Sequence, residues 1–211
     1  HTRYWRDWSS DVCSSDLQVL NKAELKFVND KINERCDDFG HSTVFAEGGS
    51  GSVLNSEFRT SSGFTCESGS ELESVIHRAM ETGLKEYRRR VKELNYMFQF
   101  YPVPGSVETF FGREPIQILS YQPSQEYVFH HDTCDFPEQT EYHRTLSTVL
   151  YLTDDFEGGG TEFPHQVYKP KAGQGLFFPS NWCYPHSGQK VISGNKKVAV
   201  TWWYAIRESQ G

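Results

Sequence analysis

The chain has 211 residues, a formal net charge of −7 and 15% aromatic residues. That length suits one domain with a substantial core, and the aromatic share suits a β-rich interior. The acidic balance argues against a phosphate-backbone binder, which normally presents a basic face, and no run approaches the ~18 apolar residues of a membrane span.

Residues 1–17, HTRYWRDWSSDVCSSDL, repeat an SSD triplet and show neither helical nor strand periodicity. They resemble a translated sequencing adapter, a non-native leader, so the authentic domain is expected to begin near Gln18 with its own N-terminus missing. One domain is then expected over 18–207, with a tail at 208–211. Asn21 and Glu24 have the spacing of a helix capping box, and Leu25, Val28, Ile32 and Cys36 follow at helical intervals, which predicts a helix over 22–37. Residues 40–64 are rich in Gly and Ser and read as short strands and loops. Ser70 and Glu73 form a second capping box ahead of Leu72, Val75, Ile76, Ala79, Met80, Leu84, Tyr87, Val91 and Leu94, the strongest helical pattern in the chain. Arg88, Arg89 and Arg90 on that helix read as a solvated face.

From Tyr96 the pattern changes to β-type runs: IQILSY, EYVFHHD, TLSTVLYLT, TEFPHQVY, GLFFP and KKVAVTWWYAI. Two helices before a run of strands predict an α+β, mainly β architecture, with the helices packed outside a two-sheet barrel or sandwich. Gly158 to Gly160 read as a turn between strands, since a phosphate cradle needs a following helix. The cysteines, Cys13, Cys36, Cys66, Cys134 and Cys183, are odd in number and lack CxxC spacing. They read as free thiols of a reducing compartment, the cytoplasm, and Cys134 as a small packed residue rather than a metal ligand.

The chemistry concentrates in four residues. His130 and Asp132 in HHD would share one face of a strand, with His131 turned the other way. His186 follows 54 residues after Asp132, and Lys196 ten residues after His186. Two imidazoles and one carboxylate on one side of an octahedral ion suit non-haem Fe(II) and leave open positions for oxygen chemistry. The Gly194-Asn195 pair can turn one strand back beside the next, which would set Lys196 on a strand adjoining His186. Lys196, Val198, Val200 and Trp202 then share a face, where a buried lysine needs an anion. His1, His41, His77, His143 and His165 complete no second metal site and read as surface or packing residues.

Taken in order, these pieces resemble the prolyl 4-hydroxylase group of Fe(II)/2-oxoglutarate-dependent dioxygenases. YQPSQEYVFHHD at 121–132 is similar to the group's Tyr-x-x-Gly-x-x-Tyr-x-x-His-x-Asp signature, with Ser124 standing where glycine is usual. The resemblance continues through Arg144-Thr145, Tyr151-Leu152, Gly159-Gly160-Thr161-x-Phe163-Pro164, Pro170-x-x-Gly173, Phe177-Phe178-Pro179, His186, Val191, Gly194-x-Lys196 and Trp202. Upstream, Arg59-Thr60-Ser61 resembles a short element that precedes the helix in these enzymes.

The resemblance implies a double-stranded β-helix (jelly-roll) core with flanking N-terminal helices. It implies Fe(II) on His130, Asp132 and His186, and 2-oxoglutarate as co-substrate on Lys196 with hydroxyls from Tyr121 and Thr161. Tyr127 and Arg144 match positions facing the peptide substrate, Trp202 matches an aromatic that lines the pocket, and ascorbate is a candidate accessory reductant. The implied reaction is hydroxylation of an unactivated C–H bond, first of all peptidyl-proline 4-hydroxylation, with release of succinate and CO2. Asp132 argues against halogenation, for which a small residue would vacate a position for halide. The same chemistry on a free amino acid, a small metabolite or another protein side chain is the alternative. A nucleic-acid demethylase and a non-catalytic β-helix binding module are remoter readings.

Overall fold

The computed structural model describes residues 14–42, 44–45, 52–53, 57, 59–94, 111–133 and 144–205. Strand β1 (Ser14–Gln18) leads into helix α1 (Lys22–Asn33) and a 3-10 turn at Cys36–Asp38. Short strands β2 (Gly40–His41), β3 (Val44–Phe45), β4 (Ser52–Val53) and β5 (Ser62–Thr65) precede helix α2 (Glu71–Leu94). The remainder is strand: β6 (Phe111–Arg113), β7 (Gln117–Tyr121), β8 (Tyr127–His130), β9 (Arg144–Tyr151), β10 (Glu157–Gly158), β11 (Thr161–Phe163), β12 (Gln166–Tyr168), β13 (Gln174–Pro179), β14 (His186–Gly188), β15 (Val191–Ser193) and β16 (Lys196–Ala205). Among the described residues no helix is long and apolar enough to cross a membrane.

The strands form a mainly β fold with a jelly-roll core. The major sheet runs β1-β13-β9-β16-β7-β5-β2, with β6 also on β16, and a four-stranded sheet, β12-β11-β14-β8, forms the second layer. Ile118, Leu146, Leu150, Ala199 and Trp203 on one face of the major sheet pack with Val28 and Ile32 of α1 and Ile76, Met80 and Leu84 of α2. Leu119, Tyr121, Tyr151, Val198 and Val200 on the other face form a separate cluster. Each central strand thus supplies alternate residues to two cores, which is why β7, β9 and β16 carry apolar residues on both faces. The helices lie outside the sheets, as expected.

At the start of α1, the Asn21 side chain accepts from the Ala23 and Glu24 N–H groups, and Glu24 accepts from the Asn21 N–H. The helix stops at Asn33, short of the predicted 37. Its buried stripe ends at Ile32, and Cys36 is exposed, so no apolar contact draws a further turn onto the core. Only half of the second capping box forms: Ser70 Oγ accepts from the Glu73 N–H at 3.2 Å. The Ser70 N–H donates to the Glu67 carbonyl, and Glu73 pairs with Arg113. The solvated reading of the arginine run holds for Arg89 and Arg90, which pair with Glu86, but Arg88 is buried. Gly83 lies inside α2, where a Cβ would come within 2.3 Å of the Phe177 ring, so the helix approaches the sheet closely there.

The expected leader boundary at residue 17 falls within β1. Leu17 pairs with Gly175 of β13 and is 5% exposed against the main core. Cys36, Cys66 and Cys183 are free thiols, while Cys13 and Cys134 lie outside the described residues.

Candidate metal and co-substrate site

Strands β8 and β14 pair antiparallel with His130 opposite His186, and their imidazole centroids lie 4.4 Å apart. The expected strand over EYVFHHD is shorter: it ends at His130, and Asp132 lies beyond it. On the partner side Pro185 immediately precedes β14, and a proline has no N–H to extend a ladder. Asp132 nonetheless turns back toward the imidazoles. Its carboxylate oxygens lie 3.5 Å from His130 Nε2 and 3.6 Å from His186 Nε2. The three ligand atoms all fall within 4.8 Å of one another.

The protonation pattern suits a cation. His130 Nδ1 is 2.8 Å from the Val128 carbonyl and His186 Nδ1 is 3.1 Å from the Tyr184 carbonyl. A carbonyl only accepts, so each Nδ1 carries the proton and each Nε2 presents its lone pair to the other ligands. Burial alone would raise the Asp132 carboxyl, but His186, His130 and the Ser147 hydroxyl outweigh it and hold the group well below the ordinary carboxylate range. Burial pushes His186 down to about 4, against the opposing pull of Asp132. Asp132 is therefore a carboxylate and His186 a neutral imidazole near neutral pH.

Lys196 enters the same cavity from the other sheet. It does not lie on a strand beside His186: after the Gly194 turn (φ +78°), β16 pairs with β9, β7 and β6, and β15 pairs with β10. The lysine and the trio thus face each other between two layers. Lys196 is 3% exposed, and its ammonium lies 5.0 Å from the Tyr121 ring centroid and 5.3 Å from that of Tyr151. Among the described residues no carboxylate pairs with it. Burial, with a smaller contribution from Lys169, pushes its pKa down to about 7. Such an ammonium is costly without an anion, and the cavity beside it supplies room for one.

The remaining expected site residues divide. Tyr121, Thr161, Tyr127 and Trp202 line this cavity. Tyr127 stacks on His130 with ring centroids 3.7 Å apart, and burial pushes its phenol up to about 12. The Thr161 hydroxyl is already shared with that of Tyr151 at 2.8 Å. Arg144 is not among the lining residues. Its guanidinium forms a two-pronged pair with Glu114 at 2.5 and 2.6 Å and lies 3.8 Å from the Trp202 ring centroid. It therefore supports a wall of the cavity from behind.

Two groups behind the trio were not singled out from the sequence, and Arg59 was named there only as part of an upstream element. Ser147 and Ser180 lie behind Asp132, and Arg59 has its guanidinium 5.0 Å from the Tyr127 ring centroid. Ser147 was within reach, because it stands opposite Trp202 across the β9–β16 ladder and cross-strand partners share a face. Reading that position requires the register, which the sequence alone does not supply. At Ser124, φ is +73°, a conformation that favours glycine, so the expected departure at this position leaves the backbone turn intact at the cost of local strain.

Residues 116–205 match the model of the 2OG-Fe(II) oxygenase superfamily. A putative prolyl 4-hydroxylase of Acanthamoeba polyphaga mimivirus is 39% identical over 111 residues, covering 44% of this chain and 46% of the relative. The chain spans about half the length of the first curated relatives it matches. The viral collagen prolyl hydroxylase of Paramecium Bursaria Chlorella virus-1, solved as its 2OG complex, superposes with a TM-score of 0.62 at 19% identity, over 93% of this chain and 97% of that one. A Trichoplax adhaerens prolyl hydroxylase, solved with a hypoxia inducible factor peptide fragment, gives a TM-score of 0.68 at 13% identity, over 94% and 86%. These two structures share the fold.

Proposed function

We propose that this prolyl 4-hydroxylase-like chain, whose residues 116–205 match the 2OG-Fe(II) oxygenase superfamily, is an Fe(II)- and 2-oxoglutarate-dependent dioxygenase acting on peptidyl proline. The observation that carries this reading is the opposition of two charges of contrasting kind across one cavity. His130, Asp132 and His186 bring three ligand atoms within 4.8 Å on one side, and the buried ammonium of Lys196 stands on the other without a carboxylate partner among the described residues. This donor set suits Fe(II).

In this reading the trio holds Fe(II), and Lys196, beside Tyr121, holds the distal carboxylate of 2-oxoglutarate. Bound together, the metal and co-substrate supply the oxidising chemistry for hydroxylating an unactivated C–H bond, with release of succinate and CO2. The protein positions and shields. The Nδ1 donations to Val128 and Tyr184 aim both imidazoles. Leu119, Val149, Val198 and Val200 give the cavity apolar walls that limit water. Tyr127, stacked on His130, and Trp202, backed by Arg144, are aromatic surfaces of the cavity on which a proline ring can pack. The neutral Tyr127 phenol can offer a hydrogen bond to a peptide carbonyl.

The reading takes residues 18–207 as one catalytic domain that also engages β1. It retains the cytoplasm as location, supported by the three free thiols, and the net charge of −7 supports a peptide over a nucleic acid. The test is succinate formation by anaerobically Fe(II)-loaded protein, given oxygen, 2-oxoglutarate and ascorbate, with and without proline-rich peptides. Turnover that requires His186 and rises with a proline peptide, with a mass gain of one oxygen on proline, is expected. Turnover indifferent to peptides, but raised by a free amino acid, would replace the substrate and keep the chemistry.

A further inference from the structure

Asp132 is the one member of the trio that no strand holds. His130 closes β8 and His186 opens β14, so the ladder fixes both imidazoles, whereas Asp132 follows the end of β8. Its position has to come from other bonds. The Ser147 hydroxyl donates to Asp132 Oδ2 at 2.6 Å, and Ser147 Oγ lies 2.8 Å from Ser180 Oγ. Thr133, the next residue, donates to the Ser180 carbonyl at 3.0 Å. Arg144 Nη1 reaches the Asp132 carbonyl at 3.3 Å.

The direction of this chain of hydroxyls follows from proton counting. A carboxylate only accepts, so the single Ser147 proton points to Asp132, and Ser180 has to donate to Ser147 Oγ. Ser147 and Ser180 are each 1% exposed, so water does not compete for these bonds. The bond at Oδ2 occupies one oxygen of a carboxylate that could otherwise grip an ion with both. A two-oxygen grip would consume one of the open positions that co-substrate and oxygen need.

Resting on the iron reading above, we propose that Ser147, backed by Ser180, is a positioning residue that holds Asp132 as a single-oxygen donor to the metal. Strand β9 and the end of β13 thereby set the geometry of a ligand that β8 alone leaves unfixed. The hydroxyl acts on the metal through Asp132 and touches neither substrate nor the reacting atoms.

The experiment is equilibrium titration of the metal-free protein with Co(II), followed by its visible absorption spectrum, in wild type, Ser147→Ala, Ser147→Thr and Ser180→Ala. Ser147→Ala is expected to weaken Co(II) binding about 10–100-fold, as other losses of a hydrogen bond behind a ligand do, and to change the spectrum. Ser147→Thr, which keeps the hydroxyl, is expected to restore both, and Ser180→Ala to fall between wild type and Ser147→Ala. Melting of each metal-free variant checks that it is folded. Equal Co(II) affinity and spectrum in wild type and Ser147→Ala overturns the proposal, as does an equal loss in the alanine and threonine variants, which would mark a packing role. Should Ser147→Ala not fold, Ser180→Ala decides alone, and wild-type affinity and spectrum there overturn it. Wild-type protein that binds no Co(II) would instead remove the metal reading beneath it.

Discussion

Strand β16 presents two lysines in succession, and their surroundings separate the two faces of the major sheet. Lys197 points to the helix side, where its ammonium donates to the Asn33 side chain at 2.7 Å near the surface. Along that face Ala199, Thr201 and Trp203 are fully buried against the helical layer. Lys196 points the other way, into the cavity, with Val198, Val200 and Trp202 beside it. One face is packed mainly with apolar side chains, with a cleft beside Glu73, Arg113 and Trp203, and Trp203 Nε1 donates to Thr148 at 2.8 Å. The other keeps a cavity and a buried cation, both of which weaken a fold. The helix-covered face stabilises the sheet, and the opposite face uses that stability to hold an arrangement that would not persist alone.

The contrast can be broken most severely at the cavity. His186→Ala or Asp132→Ala is expected to abolish succinate production and tight metal binding while the metal-free protein stays folded, as checked by circular dichroism and metal titration. On the helix side, Trp203→Ala is expected to cost about 3–5 kcal/mol in denaturant unfolding, with metal affinity of the remaining folded protein little changed. A Trp203 variant that lost metal binding at unaltered stability would show that the faces are not separable.

Lys196→Met sharpens the comparison, because it should raise the 2-oxoglutarate KM on the order of 10–100-fold without destabilising the metal-free protein. The pH dependence has a definite sign. The folded pKa of about 7 lies below the unfolded value of 10.5, so between these limits the unfolded chain binds more protons. The Lys196 contribution therefore makes metal-free stability rise with pH through that window, and the slope should flatten in Lys196→Met. The groups facing it, Tyr121, Tyr151 and the more distant Lys169, are unchanged by the substitution. The smallest effect belongs to Lys197→Met, at about 0–1 kcal/mol of stability and no change in 2-oxoglutarate KM, measured in the same two assays.

The sequence carried the pattern of this site further than its geometry. Alternation in KKVAVTWW separates the two faces of β16, and the Asn21 box starts α1 where local hydrogen bonding alone requires it. Local rules did not reach what depends on pairing. Asp132 lies beyond the end of β8, where Pro185 precedes the opposing β14, and Lys196 faces His186 across two sheets because β16 pairs with β9 and β7. Arg144 looks like an available cation in the sequence, yet Glu114, 30 residues earlier, has claimed it. Arg88 is likewise buried within a run whose composition reads as solvated.

That one cavity takes a metal and an anion together is tested without turnover by equilibrium binding of 2-oxoglutarate to the Mn(II)-loaded protein. Binding that needs the metal, fails in His186→Ala and weakens on the order of 10–100-fold in Lys196→Met is the predicted result. Binding that ignores both the metal and Lys196, or no binding to the loaded wild-type protein, would contradict it.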